Sequence, residues 1–446
     1  MNRFEKILLT IFFVELFVGG GGRLIDFGVL SIRQVLFLLV LLTFVYRIVK
    51  EKAYLNKNVN TLIRFNPVTI GVYALIISFI ASAAIGFMKG HPVSIIVMDF
   101  FRVSYVAVYF PLAYYISNQR FTLSRIITLL KYSALAVAIF TIMIDLLGKT
   151  VFAADFYPFY VFMNTIMNDD LFFRPSNSVF YKSHFFVLIG LILSLNQLLN
   201  KKYSKLDIAI VILASISILW SETRGFLLAF MLSVFMIIIL DVKVIVDPIR
   251  GLSSKIKKLV QSQQFIKKFV ISMLVLVAVP FMYKYMTLER FEVATVQHTP
   301  GDVEVEEQPE VNDVSVNARM EFIVASKEIL MQPSNLIFGT GYGSEVAGRT
   351  DGLEMSFLDI LVEQGLIGLA IWFFLFLIVY LNYYSAYKKG QKLTAVEISL
   401  LSVFMGVLLL TNINPFINNP IGISFFLIML VISQLKKESS TSGEFQ

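Results

Sequence analysis

Twelve stretches of this chain are apolar for long enough to cross a bilayer, and no other feature constrains its fold as strongly. They fall near residues 7–22, 30–48, 67–88, 93–117, 126–147, 179–199, 206–220, 225–240, 269–286, 362–384, 394–411 and 420–435. A helix rises about 1.5 Å per residue, so about 20 residues cover the roughly 30 Å hydrocarbon core. With no water there, each backbone N–H and C=O must be satisfied inside its own segment, which makes helices the solution for runs this long. Twelve such helices use roughly 240 residues, a little over half of 446, and 57% of the chain is hydrophobic against 15% charged. The expected fold is an all-α polytopic membrane protein, a single integral domain over 1–446. Residues 7–22 end in four glycines with no small-x-small cleavage site, so they read as a span and not as a signal peptide.

Lysine and arginine set the orientation. With the N-terminus inside, 25 of the 38 basic residues fall in short cytoplasmic segments, while 8 of the 31 acidic ones do. That asymmetry predicts both termini in the cytoplasm. It also accounts for the net charge of +7 without a nucleic-acid partner. One large outer loop results, 287–361, between the ninth and tenth helices. Its stretch 301–313 holds six acids and no base, which predicts a mobile, solvated segment. After it, 317–331 has helical spacing in Met320, Ile323, Val324 and Leu330, as in an amphipathic surface helix. A second outer stretch, 148–178, carries Phe152, Phe156, Tyr157, Phe159, Tyr160 and Phe162 and is expected at the membrane interface.

The absence of cysteine excludes disulfides, thiolate metal sites and a catalytic thiol. Chemistry must come from charged groups near the spans, where an uncompensated charge is costly. The hairpin Trp220-Ser221-Glu222-Thr223-Arg224-Gly225 puts Glu222 and Arg224 at the outer surface. Arg224 starts a helix, where free N–H groups and the dipole favour an anion; the guanidinium and the dipole act together once phosphate binds. A plain Glu222–Arg224 pair is the competing explanation. Arg319 and Arg349 in the large loop, with Arg174 at the approach to span six and Lys182 and His184 following, could grip phosphate oxygens from the same side. Glu354 suits a general base if partial burial raises its pKa. Ser356 and Asp359 read as a capping box. Asp99 and Arg102, three apart, read as a structural pair within span four. Asp169 and Asp170 are adjacent acids without a third ligand, which falls short of a metal site. His91 and His298 read as loop residues.

Three places in this order resemble the O-antigen polymerase and O-antigen ligase superfamily of bacterial membrane glycosyltransferases. Ser221-Glu222-Thr223-Arg224-Gly225 is similar to its S-x-S/T-R-G at a span start. Asn317-Ala318-Arg319, followed by Asn335-Leu336-Ile337-Phe338-Gly339-Thr340-Gly341-Tyr342-Gly343-Ser344, is similar to its R…LFGxGxGS stretch. Glu354-Met355-Ser356-Phe357-Leu358-Asp359 followed by Glu363, Gly365 and Gly368 is similar to its HNxFL…ExGxxG stretch, with Glu354 and Met355 standing where many members carry His and Asn.

The resemblance implies a GT-C-like glycosyltransferase working on the outer face of the cytoplasmic (inner) membrane. Its substrate would be an undecaprenyl-pyrophosphate-linked oligosaccharide, with no metal or other cofactor and with a chain-length regulator protein as a further partner. Under that reading Glu354, Arg224 and Arg319 are the expected catalytic residues. Arg174, Arg349, Lys182, His184 and Glu222 are the expected substrate-binding residues. Polymerase is the leading activity and ligase the alternative. A transporter or flippase would lean instead on Glu15, Asp99 and Arg102 within the spans.

Overall fold

A computed structural model describes residues 1–22, 25, 30–56, 62–174, 176–242, 266, 267, 270, 271, 274, 278, 314–350 and 352–440. The helices are α1 (Arg3–Val18), α2 (Ile32–Lys50), α3 (Pro67–Met88), α4 (Val93–Ser104), α5 (Tyr109–Ser117), α6 (Leu123–Lys149), α7 (Phe156–Ile166), α8 (His184–Leu199) and α9 (Lys205–Trp220). They continue as α10 (Arg224–Val242), α11 (Val314–Leu330), α12 (Pro333–Phe338), α13 (Ser356–Lys388), α14 (Ala395–Leu410) and α15 (Pro420–Ser439). One antiparallel hairpin, β1 (Leu171–Arg174) with β2 (Ser178–Tyr181), interrupts them.

Seven stretches are long and apolar enough to cross a bilayer: α2, α3, α4 through α5, α6, α10, α13 and α15; α8 and α14 are shorter apolar helices. The chain is a multi-pass helical membrane protein. The expected span 269–286 lies largely outside the described residues, and the acidic stretch 301–313 and His298 lie wholly outside them. The sixth expected span, placed over 179–199, is corrected: residues 178–181 form β2, and the helix begins at His184. Val179 to Tyr181 read as the start of that apolar run, although Phe172, Arg174, Phe180 and Lys182 alternate with period two across Ser176 and Asn177, which marks a hairpin.

Local chemistry starts the helices where the apolar runs begin. Asn2 with Glu5, Ser31 with Gln34, Ser204 with Asp207 and Thr394 with Glu397 form capping boxes that satisfy the first free N–H groups. The capping box expected of Ser356 and Asp359 is absent. Asp359 faces Leu353, Asn418 and Arg102 instead, and the N-cap position of α13 is Met355.

The centre of the bundle is α15, buried almost continuously from Ile421 to Ser433, with α8 buried almost continuously beside α6, α9 and α14. Between lipid-solvated helices the hydrophobic effect adds little, so close packing does the holding. Gly406 of α14 lies against Ala229 and Ser233 of α10, where a Cβ would strike the Ser233 hydroxyl. Trp372 is enclosed by Phe79, Phe376 and Phe426.

The glycines at 339 and 365 meet one another. Gly365 breaks α13 with φ 67, and Gly339 has φ 81, both in the left-handed region that favours glycine. A Cβ on Gly339 would strike the Glu363 carbonyl, and one on Gly365 would strike the Ile337 carbonyl and the Gly339 amide. The two backbones pack directly, joined by Thr340 N–H to Val362 O at 2.7 Å and Gly341 N–H to Glu363 O at 3.1 Å. The glycine-rich stretch is therefore a helix-packing device.

Candidate functional site

Both termini of the described chain lie at one end of the bundle. There Arg47 bonds Glu5, Arg64 pairs with Glu438 at 2.5 Å and Lys436 with Glu397 at 3.0 Å. At the other end, where α1 finishes and α2, α10 and α15 begin, a cavity of about 630 Å³ opens. Seven cationic side chains line it: Arg33, Arg102, Arg174, Lys182, Arg224, Arg319 and Arg349. Glu354 is the one carboxylate among the lining residues.

The hairpin supplies one wall. Its register pairs Phe172 with Phe180 and Arg174 with Ser178, so period-two alternation turns Phe172, Arg174 and Phe180 to one face, with Lys182 following. Leu171, Val179 and Tyr181 bury the other face. Arg174 lies over the Phe180 ring at 5.5 Å and Lys182 over Phe172 at 5.4 Å, which limits the freedom of both cations. Arg174 also donates to Ser221 O at 3.0 Å and Thr223 Oγ1 at 3.2 Å. It thus ties the hairpin to the turn that presents Arg224.

Glu222 sits in that turn with φ 49, a conformation costing about 1–2 kcal/mol outside glycine. Its carboxylate accepts from the Ser176 hydroxyl and, at 3.4 Å, from Ser178 Oγ. Glu222 is buried and does not line the cavity, which corrects its expected substrate contact: it latches the turn to the hairpin. His184 is also corrected. It is fully buried, with Nε2 2.9 Å from Ser217 Oγ and Nδ1 2.8 Å from Tyr181 O. A polar residue opening an apolar helix signalled a buried partner, and that partner, Ser217, lies on α9.

The large loop supplies the opposite wall. Arg319 on α11 donates to Ile413 O at 3.0 Å and lies 3.6 Å from Glu354. Arg349 closes a tight turn through Ala347 and Gly348, with Val346 N–H to Arg349 O at 2.9 Å. It lies over Phe322 at 5.3 Å and reaches Glu354 at 3.5 Å. Glu354 therefore bridges two guanidiniums with its side chain 37% exposed. Where the sequence points to partial burial of Glu354, the structure sets it in an ion-pair bridge. Behind it, Asp359 accepts from Leu353 N–H at 3.0 Å and Asn418 Nδ2 at 2.6 Å, and Thr411 donates to Ser356 at 2.8 Å. This polar knot fixes the Glu354 loop to the start of α13.

Two lining cations escaped the sequence reading. Arg33 is held by Glu15 at 3.0 Å and Gly20 O at 2.8 Å. Arg102, read as a partner of Asp99 alone, meets Asp99 at 3.3 Å, Asp359 at 3.4 Å and Glu363 at 3.1 Å. Near Arg33, Asp170 accepts from Gly21 N–H at 2.6 Å and pairs with Lys182 at 2.9 Å, whereas Asp169 turns to Asn164. The adjacent acids thus serve different partners. Among the described residues no group of three or more His, Asp or Glu is arranged to hold a metal.

Residues 209–373 match the family described as O-antigen ligase. That segment contains the Arg224 turn, Arg319, Arg349, Glu354 and the Gly365 break. The chain is also 26% identical to an O-antigen polymerase of Shigella flexneri, over 97% of this chain and 95% of that one. Both comparisons support the O-antigen polymerase and ligase superfamily. Within the matched segment lie three of the seven cavity cations, Arg224, Arg319 and Arg349, together with Glu354. The hairpin cations Arg174 and Lys182, with Arg33 and Arg102, all precede it in sequence, and the fold brings them to the same cavity.

Proposed function

We propose that the protein is a polysaccharide polymerase that joins undecaprenyl-pyrophosphate-linked oligosaccharide repeat units at the outer face of a bacterial cytoplasmic membrane. The observation that carries this reading is the convergence of seven cations and one carboxylate on a single cavity at the end of the bundle remote from both termini. A hydroxyl of one lipid-linked repeat attacks the anomeric carbon of another. The new C–O bond forms as the bond to pyrophosphate breaks, and undecaprenyl pyrophosphate leaves with the electron pair. Glu354 accepts the hydroxyl proton and passes it to solvent. Arg224 and Arg319 bear the charge growing on the leaving pyrophosphate, with Arg174, Arg349 and Lys182 around them. Guanidinium forks match phosphate oxygens in pairs, and fixed cations aimed at developing charge are the largest source of rate in such sites. They fill the electrostatic role a metal would otherwise take, so the reaction is proposed to be metal-independent.

Both termini then face the cytoplasm, as the lysine and arginine distribution predicts. The family description favours one second reading, an O-antigen ligase that moves finished glycan to an acceptor. Purified protein given a synthetic undecaprenyl-pyrophosphate repeat unit, with and without EDTA, separates these outcomes on a gel. A ladder surviving EDTA is expected. Loss of the ladder in EDTA would overturn metal independence. No ladder until an acceptor glycolipid is supplied would replace the polymerase by the ligase.

A further inference from the structure

The helix α11 is apolar on two faces. Its inner face sets Phe322 against Val346, Leu353 and Val362, with Ala318, Ala325 and Ile329 packed around them. At about 100° per residue, Met320, Ile323, Val324 and Met331 form a separate outward stripe. They are 55%, 41%, 54% and 73% exposed. Glu321 and Glu328 lie on one flank of that stripe, and Arg319 reaches the cavity on the other side. Helical spacing identifies an amphipathic surface helix here, and the structure packs its Phe322 face inward. Lys327, also exposed within the stripe, has a stem long enough to lie along an apolar surface with its ammonium in water.

The following helix, α12, continues the stripe with exposed Leu336 and Phe338. Its depth is fixed by its neighbours. The Ile337 carbonyl lies against Gly365, at the break in α13, and Asn335 accepts from Lys89 Nζ at 2.7 Å just beyond α3. Leu366 and Ile367 start the outward apolar surface of α13, and Phe87 and Met88 end that of α3. So α12 fills the gap between the outer ends of two spans and extends a surface that already faces lipid.

We propose that α11 and α12 lie in the headgroup region of the outer leaflet, with Met320, Ile323, Val324, Met331, Leu336 and Phe338 in contact with acyl chains. A helix with apolar residues on one side and acids on its flank settles in the interface plane. Because Arg319 is carried on the same helix, the bilayer then sets the height of that guanidinium. If the polymerase reading above holds, this is the height of a lipid-linked pyrophosphate.

The chain has no cysteine, so single-site labelling tests the placement directly. Full-length Met320→Cys, Ile323→Cys and Phe338→Cys carry a nitroxide in phosphatidylethanolamine–phosphatidylglycerol nanodiscs, with Glu321→Cys and Glu328→Cys as water-facing controls. Met331→Cys and Leu336→Cys replace any variant that fails to assemble. Oxygen should relax the first three labels several-fold more than a water-soluble nickel chelate does, with the reverse at 321 and 328. Chelate-dominated relaxation at 320, 323 and 338 overturns the proposal. Protection from both reagents, with disulfide formation between copies of the unlabelled variants under an added oxidant, would give the face to a second copy and also overturn it. These readouts need no substrate, so they stand apart from any failure of the polymerase assay.

Discussion

The carboxylate of Asp359 accepts the backbone N–H of Leu353 at 3.0 Å, one residue before Glu354, and so a residue at the start of a membrane span holds the loop that carries the cavity's acid. Its other oxygen takes Asn418 and faces Arg102. Replacing Asp359 with Ala strands a buried N–H and an amide at once, at a cost of about 2 kcal/mol. A lower melting temperature in detergent is expected, together with reduced polymerisation while Glu354 is intact. An unchanged melting temperature would show that the knot does not hold the loop.

Arg224 and Arg319 enter the cavity from different helices and are proposed to grip the same pyrophosphate. Arg224→Lys and Arg319→Lys keep the charge and lose the fork, so each is expected to slow polymerisation by about a hundredfold. Single-turnover rates on a synthetic repeat unit check this. Full activity in either variant removes that residue from the mechanism.

Glu354 stands where many members of the superfamily carry histidine. Glu354→Gln removes the proton acceptor and should cost about a hundredfold in rate. Glu354→His restores an acceptor and should recover part of it, although it gives up the bridge to Arg319 and Arg349. Equal rates for the Gln and His variants would show that the bridge matters and the acceptor does not.

At the opposite end of the bundle, Glu51 receives Arg120 at 2.7 and 3.1 Å and Tyr114 Oη at 2.6 Å. The Arg120 hydrogen bonds chiefly hold its carboxyl below the usual 4.5. A depressed carboxyl stabilises the fold above its unfolded value and loses that contribution as pH falls through the folded one. Glu51→Gln should therefore be less stable than the parent at pH 7, by about 1 kcal/mol. The gap should close as pH drops below about 4. Thermal melts across that range measure it, and a gap that widens on acidification would contradict the assignment.

The sequence made the membrane class legible because a run such as 67–88 can do little else, and the Ser221–Gly225 turn was visible because two spans meet there. What it hid was distance along the chain. Arg102 shows its neighbour Asp99 in any helical reading, but Asp359 and Glu363 lie 257 and 261 residues away. Arg33 went unread because nothing nearby in the sequence announces the cavity. In the hairpin the signal was present but outweighed, since Val179 and Phe180 are apolar enough to merge with α8. For α11 the period marked an amphipathic helix, but spacing identifies an apolar stripe without saying whether protein or lipid covers it.

The walls of the cavity run from Gly21 to Ile421 in sequence, and no short stretch of the chain contains the site. During synthesis Arg174 and Arg224 are inserted while Arg319, Glu354 and the Ile413–Ile421 wall have yet to leave the ribosome. A growing chain thus carries unbalanced guanidiniums with no enclosure around them. On the proposed polymerase reading, a half-made protein offers lipid-linked sugar no complete site, and the competence of the site reports that its last wall has been threaded into place.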